Sequence, residues 1–269
     1  YPVTARFSNG SPKAIGNDAD VDTRGFAMKV YKVPGRNIFA QELRLGDEVS
    51  QDFTLNSSEP FFADNAYHYS QFMKILTFEA PTLKAAGGMF VKKLFTDGKP
   101  LLSARVMRAF LKIQYLKATT PLGLNYFSIT PFQYGEGPDA PIVKFKMEPC
   151  RGTFKDKIPA NDPYYLRTNL RARMAKEGAC FKFMVQQRGT KNWTVEDPSH
   201  SWPEWRAPFK EIARVQFPAQ TPMEEASCEK LVINPWNTLP EHKPVGGINR
   251  IRLPTYLLSV QSRRTTNKY

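Results

Sequence analysis

The chain of 269 residues carries 38 lysine and arginine residues against 25 aspartate and glutamate residues, which gives a formal net charge of +13. Hydrophobic residues at 41% and aromatic residues at 13% exclude a disordered chain and are typical of a globular protein with a sizeable core. No apolar run approaches the roughly 20 residues that span a bilayer, so a transmembrane helix is not expected. The excess of positive charge favours solubility and attraction to polyanions.

The N-terminal part of the chain has the pattern of short β-strands. Apolar and polar residues alternate there, as they do in a strand with one face inside the protein. The pattern predicts strands over residues 3–7, 25–31 and 52–55.

Three helices are predicted to follow these strands, because apolar residues recur at spacings of three and four. They cover residues 66–78, 82–95 and 101–117. The third helix is basic and amphipathic. Such a helix can lie on an anionic membrane, so a peripheral membrane contact stays open. We favour the alternative, in which the helix docks on the core with its basic face in water.

The second half of the chain contains further strand patterns and one helix pattern. Strands are predicted over residues 127–130, 142–148, 181–188 and 212–217, and a helix over residues 164–176. The connection over residues 190–208 is rich in Pro and Trp and lacks periodicity, so we expect it to wrap over the surface.

Strands, then inserted helices, then more strands predict an α+β fold rather than alternating βαβ units. The specific expectation is an antiparallel β-barrel with inserted and C-terminal helices. No internal repeat, low-complexity tract or flexible linker divides the chain. We therefore expect residues 1–269 to form one domain.

The three cysteines, Cys150, Cys180 and Cys228, lie far apart in the sequence and form no CxxC pair. A zinc site is not expected from this spacing. An odd number of cysteines without a disulfide framework favours a reducing compartment such as the cytoplasm. The sequence begins at Tyr1 with no initiator Met and no signal-peptide pattern, which indicates a processed protein or a fragment.

The C-terminal segment can hold a phenol oxygen beside fixed positive charge. Pro254 predicts a helix that starts there, because proline is tolerated in the first helical turn. On such a helix Arg252, Tyr256 and Arg263 fall within roughly 40° of one another, with Arg252 at its edge. A neighbouring cation stabilises a phenolate, and anionic tyrosine is one of the few protein ligands of haem iron. The alternative is a surface arginine beside a half-buried tyrosine.

Several short stretches along the chain form a larger pattern. They are Ala5-Arg6-Phe7-Ser8, Arg24-Gly25-Phe26-Ala27, Gln51-Asp52-Phe53-Thr54-Leu55-Asn56, Pro60-Phe61-Phe62, Asn234-Pro235-Trp236-Asn237-Thr238-Leu239-Pro240-Glu241-His242, Gly246-Gly247-Ile248-Asn249-Arg250 and Arg252-Leu253-Pro254-Thr255-Tyr256. In order and approximate spacing they resemble the catalase superfamily, in particular its short haem-dependent branch of catalase-related peroxidases and allene oxide synthase-like proteins. The resemblance spans nearly the whole chain and implies a barrel with haem at its side.

The resemblance implies a role for six residues. Tyr256 would be the ligand of the haem iron, and Arg252 would keep its phenol ionised. Arg6 and Arg263 would bind the haem propionates, and Tyr69 would stack on the porphyrin, where the family usually has Phe. Asn56 would be the catalytic residue that hydrogen-bonds peroxide. The plainer interpretations are a strand-edge cation for Arg6, a turn residue for Asn56 and a core residue for Tyr69.

The general base of the family, a distal histidine, is missing from the matching position. By resemblance it lies N-terminal to the first strand and would fall before Tyr1, together with a third propionate-binding arginine. The domain therefore matches the family core without its N-terminal segment. We expect structural or solvent roles for the three histidines present, His68, His200 and His242.

These observations give a preferred function and several alternatives. The preferred one is a catalase-like haem oxidoreductase that decomposes hydrogen peroxide or organic hydroperoxides. The alternatives are an enzyme that converts fatty-acid hydroperoxides, a non-catalytic haem binder, and a basic module that binds nucleic acid or membrane. No nucleic-acid-binding signature supports the last. Members of the family commonly associate, so a homo-oligomer stays open.

Overall fold

The structure is a computed structural model that describes residues 1–11, 16–39, 49–114, 118–152, 154, 157–159, 161–189 and 193–268. Its strands are β1 (Val3–Asn9), β2 (Arg24–Tyr31), β3 (Ser50–Asn56), β4 (Tyr126–Phe127), β5 (Phe132–Gln133), β6 (Ile142–Pro149), β7 (Ala179–Gln187) and β8 (Phe209–Phe217). Its helices are α1 (Ala66–Lys74), α2 (Leu83–Thr96), α3 (Pro100–Gln114), α4 (Tyr165–Lys176), α5 (Glu225–Lys230) and α6 (Gly247–Asn267).

The strands form one antiparallel sheet of eight strands within the described residues, in the order β1-β2-β3-β4-β6-β7-β8, with β5 beside β6. The sheet is curled, as shown by the contact of Phe7 on β1 with Phe181 on β7, whose ring centroids are 6.3 Å apart. The α+β class and the curled antiparallel sheet confirm the predicted fold class.

The concave side of the sheet holds the main core, which is rich in aromatic residues. Phe26, Tyr126, Phe145 and Phe181 are almost completely buried there. These residues come from the alternating positions that predicted the strands, so the same period of two specifies both strand and core. The convex side of β1, β2 and β3 carries the remaining positions, and it becomes important below.

Helices α1, α2 and α3, which lie between β3 and β4 in the sequence, build a second, smaller core. Its buried residues are Phe72, Ile75, Ala86, Phe90, Leu94, Leu102 and Val106. Helix α1 continues into a π-helical turn, Ile75–Glu79. No helix in the described part of the chain is long and apolar enough to cross a membrane. The last residues of the helix predicted over 101–117 lie outside the described residues, as do the first residues of the 190–208 connection.

Three local predictions are corrected. The strand predicted over residues 127–130 ends at Phe127, because Ile129 adopts a positive φ of 55° and Ser128 and Thr130 hydrogen-bond each other's backbone. The short elements β5 and α5 were not predicted. The C-terminal helix begins at Gly247 and not at Pro254, which lies inside it.

Cys150 and Cys180 form a disulfide, with Cα atoms 5.4 Å apart. The sequence prediction of no disulfide framework is therefore wrong. The two cysteines are 30 residues apart in sequence, but β6 and β7 pair so that the end of one strand lies beside the start of the next. The free cysteine is Cys228.

Candidate functional site

The N-terminal part of α6 is fixed to the sheet by Asn249, and this explains why the helix starts so early. The buried Asn249 side chain donates to the carbonyl oxygens of Pro131, at 2.8 Å, and Val245, at 2.9 Å. Trp236 Nε1 donates to the Asn249 carbonyl oxygen at 2.7 Å. These long-range contacts outweigh the helix hydrogen bond that Pro254 cannot make. As a result, Arg252 lies within the helix, one turn before Tyr256.

Arg252 connects α6 to the sheet. Its Nη2 donates to the Tyr256 hydroxyl at 3.2 Å and to Thr54 Oγ1 on β3. Its Nη1 donates to Thr130 Oγ1, at 3.2 Å, and to Asn249 Oδ1, at 3.3 Å. A guanidinium with this many partners has one orientation, which keeps its charge beside the phenol oxygen.

The pKa of the Tyr256 phenol lies below the usual tyrosine value of about 10. Burial acts in the other direction and raises the pKa. The charge of Arg252, its hydrogen bond, a hydrogen bond with Thr54 and the charge of Arg6 together outweigh that effect. The site therefore stabilises a phenolate.

The strand register brings the predicted residue Arg6 to the same face of the sheet as Thr54. Arg6 pairs with Ala27, and Ala27 pairs with Thr54, so Arg6, Ala27 and Thr54 form one row across three strands. The Arg6 charge contributes to the lowered pKa of Tyr256, which shows that this row faces the phenol. Arg6 is exposed, as its plainer interpretation predicted, but it also faces the site.

The neighbouring row contains Ser8, Gly25 and Asn56. A Cβ added to Gly25 would meet Ser8 Oγ at 2.5 Å, so a side chain at this position would have to push the Ser8 hydroxyl aside. Gly25 and Ala27 thus leave the middle of the convex face free of large side chains. The face is only half-buried at both positions. A flat group can approach the backbone of β2 there.

Asn56 is engaged in a turn, as its plainer interpretation predicted. Its Oδ1 accepts a hydrogen bond from the Ser58 backbone N–H at 2.9 Å. Its Nδ2 donates to Thr23 Oγ1 over 3.3 Å, which is a long hydrogen bond. The side chain is half-buried on the same face as Thr54.

Tyr69 on α1 belongs to an aromatic cluster and also lies near Tyr256. Its ring centroid is 5.5 Å from that of Phe61 and 6.0 Å from that of Phe62. Burial raises the pKa of Tyr69, the nearby Tyr256 raises it further, and the charge of Arg252 partly opposes this. Tyr69 therefore stays a neutral phenol near the ionisable one.

Arg263 is the predicted site residue that the structure engages elsewhere. Its Nη1 donates to the backbone carbonyl oxygens of Glu229, at 2.8 Å, and Leu231, at 3.5 Å. These carbonyl groups lie at the C-terminal end of α5. Arg263 follows Tyr256 by two helical turns, roughly 10 Å along α6.

The three histidines all have other partners. His68 Nδ1 lies 2.5 Å from Asp64, and His200 contacts Arg105 and Asp197. The His242 ring stacks on Tyr134 and bonds Gln51. Among the described residues no group of three or more His, Cys, Asp or Glu could hold a metal ion.

Thr54 was not predicted as a site residue. The sequence pattern places it in the predicted strand 52–55, between Phe53 and Leu55, which belong to the core. The alternation places its side chain on the opposite face. Only the packing of α6 on that face turns Thr54 into a partner of Arg252.

Comparison of the fold with solved structures gives close matches over nearly the whole chain. A fungal catalase and catalase A from Saccharomyces cerevisiae both align with a TM-score of 0.75, and a bacterial catalase aligns with 0.73. The chain has the fold of catalases. The alignments cover 97%, 97% and 98% of this chain and 51%, 53% and 50% of those chains, at 16% identity in each case. The chain thus spans about half the length of these structures.

No family model and no curated protein matches the sequence. The catalase likeness therefore rests on the backbone, which the sequence resemblance had anticipated. At 16% identity this likeness concerns the fold alone. What the residues of the convex face do must be argued from their own chemistry.

Proposed function

We propose that this protein is a haem-dependent oxidoreductase that decomposes hydrogen peroxide or organic hydroperoxides, with Tyr256 as the ligand of the ferric iron. The observation that carries the proposal is the Arg252–Tyr256 pair with its lowered phenol pKa. A tyrosine binds ferric iron as a phenolate, and here Arg252 makes that form more accessible than it is in a free tyrosine.

The residues around Tyr256 fit a haem. The phenolate supplies an anionic ligand, and Gly25 and Ala27 leave the sheet face flat enough for a planar group to lie against it. The guanidinium of Arg6 faces this site and suits a propionate carboxylate. Arg263 would serve a propionate only after leaving the carbonyl oxygens of α5. Tyr69 would contribute an aromatic surface beside the ring.

The bound haem would supply the redox chemistry of the peroxide O–O bond. The chain's own residues do the rest. Arg252 lowers the pKa of the Tyr256 phenol, and Thr54 and Thr130 fix the guanidinium. Asn56 would orient the peroxide through its amide, because Nδ2 can donate a hydrogen bond to a peroxide oxygen. The excess of positive charge would suit an acidic lipid hydroperoxide, whereas hydrogen peroxide is uncharged and is not attracted by it.

A second candidate is a haem-binding protein without turnover. It is favoured by the contacts of Asn56, whose carbonyl oxygen is used by the Ser58 N–H, and by the other partners of the three histidines. In that case the phenolate site is formed, but no described residue accepts the proton of a peroxide. Such proton transfer contributes typically 10²–10⁴-fold to rate.

The first experiment compares the ferric-haem spectrum of the wild-type protein with that of Tyr256→Phe. We expect stoichiometric haem with a high-spin spectrum and a tyrosinate charge-transfer band, and loss of that band in the variant. Tyr69→Phe is the matched control, since it removes a phenol near the site that burial keeps neutral. A spectrum that does not depend on Tyr256 would contradict the proposal.

The substrate is tested on the haem-loaded protein. Oxygen release from hydrogen peroxide indicates dismutation, whereas loss of the conjugated-diene absorbance of a fatty-acid hydroperoxide without oxygen release indicates the lipid reaction. Haem binding with neither activity identifies the second candidate.

A further inference from the structure

Helices α2 and α3 form a hairpin whose inner side is closely packed. Its turn lies at residues 97–99, and Ser103 Oγ donates to the Val91 carbonyl oxygen at 2.8 Å. A Cβ added to Gly87 would meet the Phe110 ring at 2.9 Å, so the two helices approach closely. The inner side packs on α1 through the second core. The inner side of the hairpin is therefore docked on the core, as we favoured from the sequence, and its outer side is exposed.

The outer side of this hairpin exposes several large apolar side chains to solvent. Phe95 at the end of α2 is 65% exposed and Leu101 at the start of α3 is 80% exposed, on the two sides of the turn. Met107 and Leu111 are also exposed, and together with Leu101 they lie on one side of α3, within a sector of roughly 120° around the helix axis. We call these residues, with the basic residues between them, the hairpin surface.

The basic residues of the hairpin surface are Lys84, Lys92, Lys99 and Arg108. Residues 83–114 contain seven Lys and Arg residues and one acidic residue, Asp97. Asp97 pairs with Lys93 at 2.9 Å, and Arg105 pairs with Asp197. In the part of the chain that the structure describes, no ion pair neutralises the charge of Lys84, Lys92, Lys99 or Arg108.

We propose that the hairpin surface binds the anionic face of a lipid bilayer. Phe95 and Leu101 would enter the boundary between headgroups and acyl chains, while the lysines and Arg108 contact anionic headgroups. Exposed apolar residues interspersed with Lys and Arg on a helical surface give this mode of binding, in which burial and charge act together. Each lysine or arginine near an anionic surface strengthens binding about fivefold.

The composition of the hairpin surface argues against two other occupants. A nucleic acid would use the basic residues but would leave Leu101, Met107 and Leu111 without an apolar partner. A second copy of this chain that docked by the same surface would bring like charges together. A bilayer with anionic lipids satisfies both the charge and the apolar residues.

Vesicle flotation of the full chain tests this inference. We expect binding to phosphatidylcholine vesicles that contain phosphatidylserine, weaker binding to pure phosphatidylcholine, and a steep loss with added salt. The variant Phe95→Ser/Leu101→Ser should bind at least about tenfold more weakly. The variant Lys92→Glu/Lys99→Glu/Arg108→Glu should lose binding to the anionic vesicles.

Matched controls come from exposed positions outside the hairpin. Trp205→Ser/Ile212→Ser removes two exposed apolar residues, and Lys176→Glu/Lys210→Glu/Lys243→Glu makes the same change of charge. Both controls should bind as the wild type does. Equal loss in test and control variants would overturn the proposal, as would wild-type binding to neither vesicle.

A measurement of the oligomeric state distinguishes membrane binding from the remaining alternative, an interface between two copies of the chain. If Phe95→Ser/Leu101→Ser converts a wild-type dimer to a monomer and wild type does not float, the hairpin surface is an interface between copies and the proposal is wrong. The inference does not rest on haem. Haem uptake by the hairpin variants should equal that of the wild type.

Discussion

Tyr256 and Asn56 lie at the same face of the sheet, because Tyr256 contacts Thr54 and Asn56 follows Thr54 by two residues on β3. The surroundings of the two side chains nevertheless differ in how far they favour ligand binding. The Tyr256 phenol is beside Arg252 and Thr54, and its pKa is lowered. The Asn56 amide uses its oxygen to close a turn with Ser58, and its nitrogen makes a 3.3 Å contact with Thr23.

The difference follows from where the partners of each side chain lie. Arg252 lies one turn before Tyr256 on the same helix, and Thr54 and Thr130, which are distant in the sequence, hold its guanidinium beside the phenol before any ligand binds. The partners of Asn56 are Ser58, two residues later, and Thr23, 33 residues earlier in the sequence, and they compete with a ligand for the same polar atoms. A ligand that needs the phenolate meets a phenol whose pKa is already lowered, whereas a ligand of Asn56 must displace Thr23.

The largest expected effect comes from Arg252→Leu, which removes the main stabiliser of the phenolate. We expect the pKa of Tyr256 to rise toward or above that of free tyrosine, measured by ultraviolet titration of the protein without haem. Haem affinity should fall about 10–100-fold, as is typical when a residue that hydrogen-bonds a metal ligand is lost.

The pH dependence of folding has the corresponding sign. Between its lowered folded pKa and about 10, the Tyr256 phenol is ionised in the folded state while the unfolded chain still binds the proton. The unfolding free energy of wild type should therefore rise as the pH increases through the folded pKa toward about 10, and the gain is lost as the pH falls. Arg252→Leu should lack this rise. Arg250→Leu, which removes the exposed pair with Glu196, is the control and should keep it.

Substitution of Asn56 separates the turn from catalysis. Asn56→Asp keeps an oxygen that accepts from Ser58 N–H, so its unfolding free energy should match wild type, while turnover of haem-loaded protein falls about tenfold for one lost hydrogen bond. Asn56→Ala should lose turnover and about 1 kcal/mol of stability. If Asn56→Asp turns over peroxide as fast as wild type, the amide serves the turn alone.

The smallest effect is expected for Thr54→Val, which keeps the shape of the side chain and removes its hydroxyl. The pKa of Tyr256 should rise less than in Arg252→Leu, and haem affinity should fall a few-fold, because one neutral hydrogen bond contributes about 1 kcal/mol. Thr4→Val, on the same face of β1, is the control. An effect as large as that of Arg252→Leu would mean that Thr54, and not the cation, controls the phenol.

Sequence patterns were sufficient for the sheet and for the proximity of Arg252 and Tyr256. Alternation in β2 and β6 fixes both the strands and their buried faces, and a spacing of four on a helix places two side chains together whatever the rest of the fold does. These are local or periodic features, so they can be read without the tertiary structure.

Other features depend on contacts that no local pattern contains. The start of α6 at Gly247 depends on the hydrogen bonds of Asn249 to Pro131 and of Trp236 to Asn249. The Cys150–Cys180 bond depends on how β6 and β7 are paired. The engagement of Arg263 by α5 requires a helix that the sequence did not predict.

The alternation in β1, β2 and β3 divides each strand between two tasks. Phe7, Phe26 and Phe53 face the core, while Arg6, Ala27 and Thr54 face the site. Substitutions on the site face can therefore alter chemistry without repacking the core. A deletion of one residue within a strand would instead exchange the two sets, with arginine and threonine turned into the barrel and phenylalanine onto the convex face. For this sheet, point substitution is a route to new activity, and a one-residue frame slip destroys fold and site together.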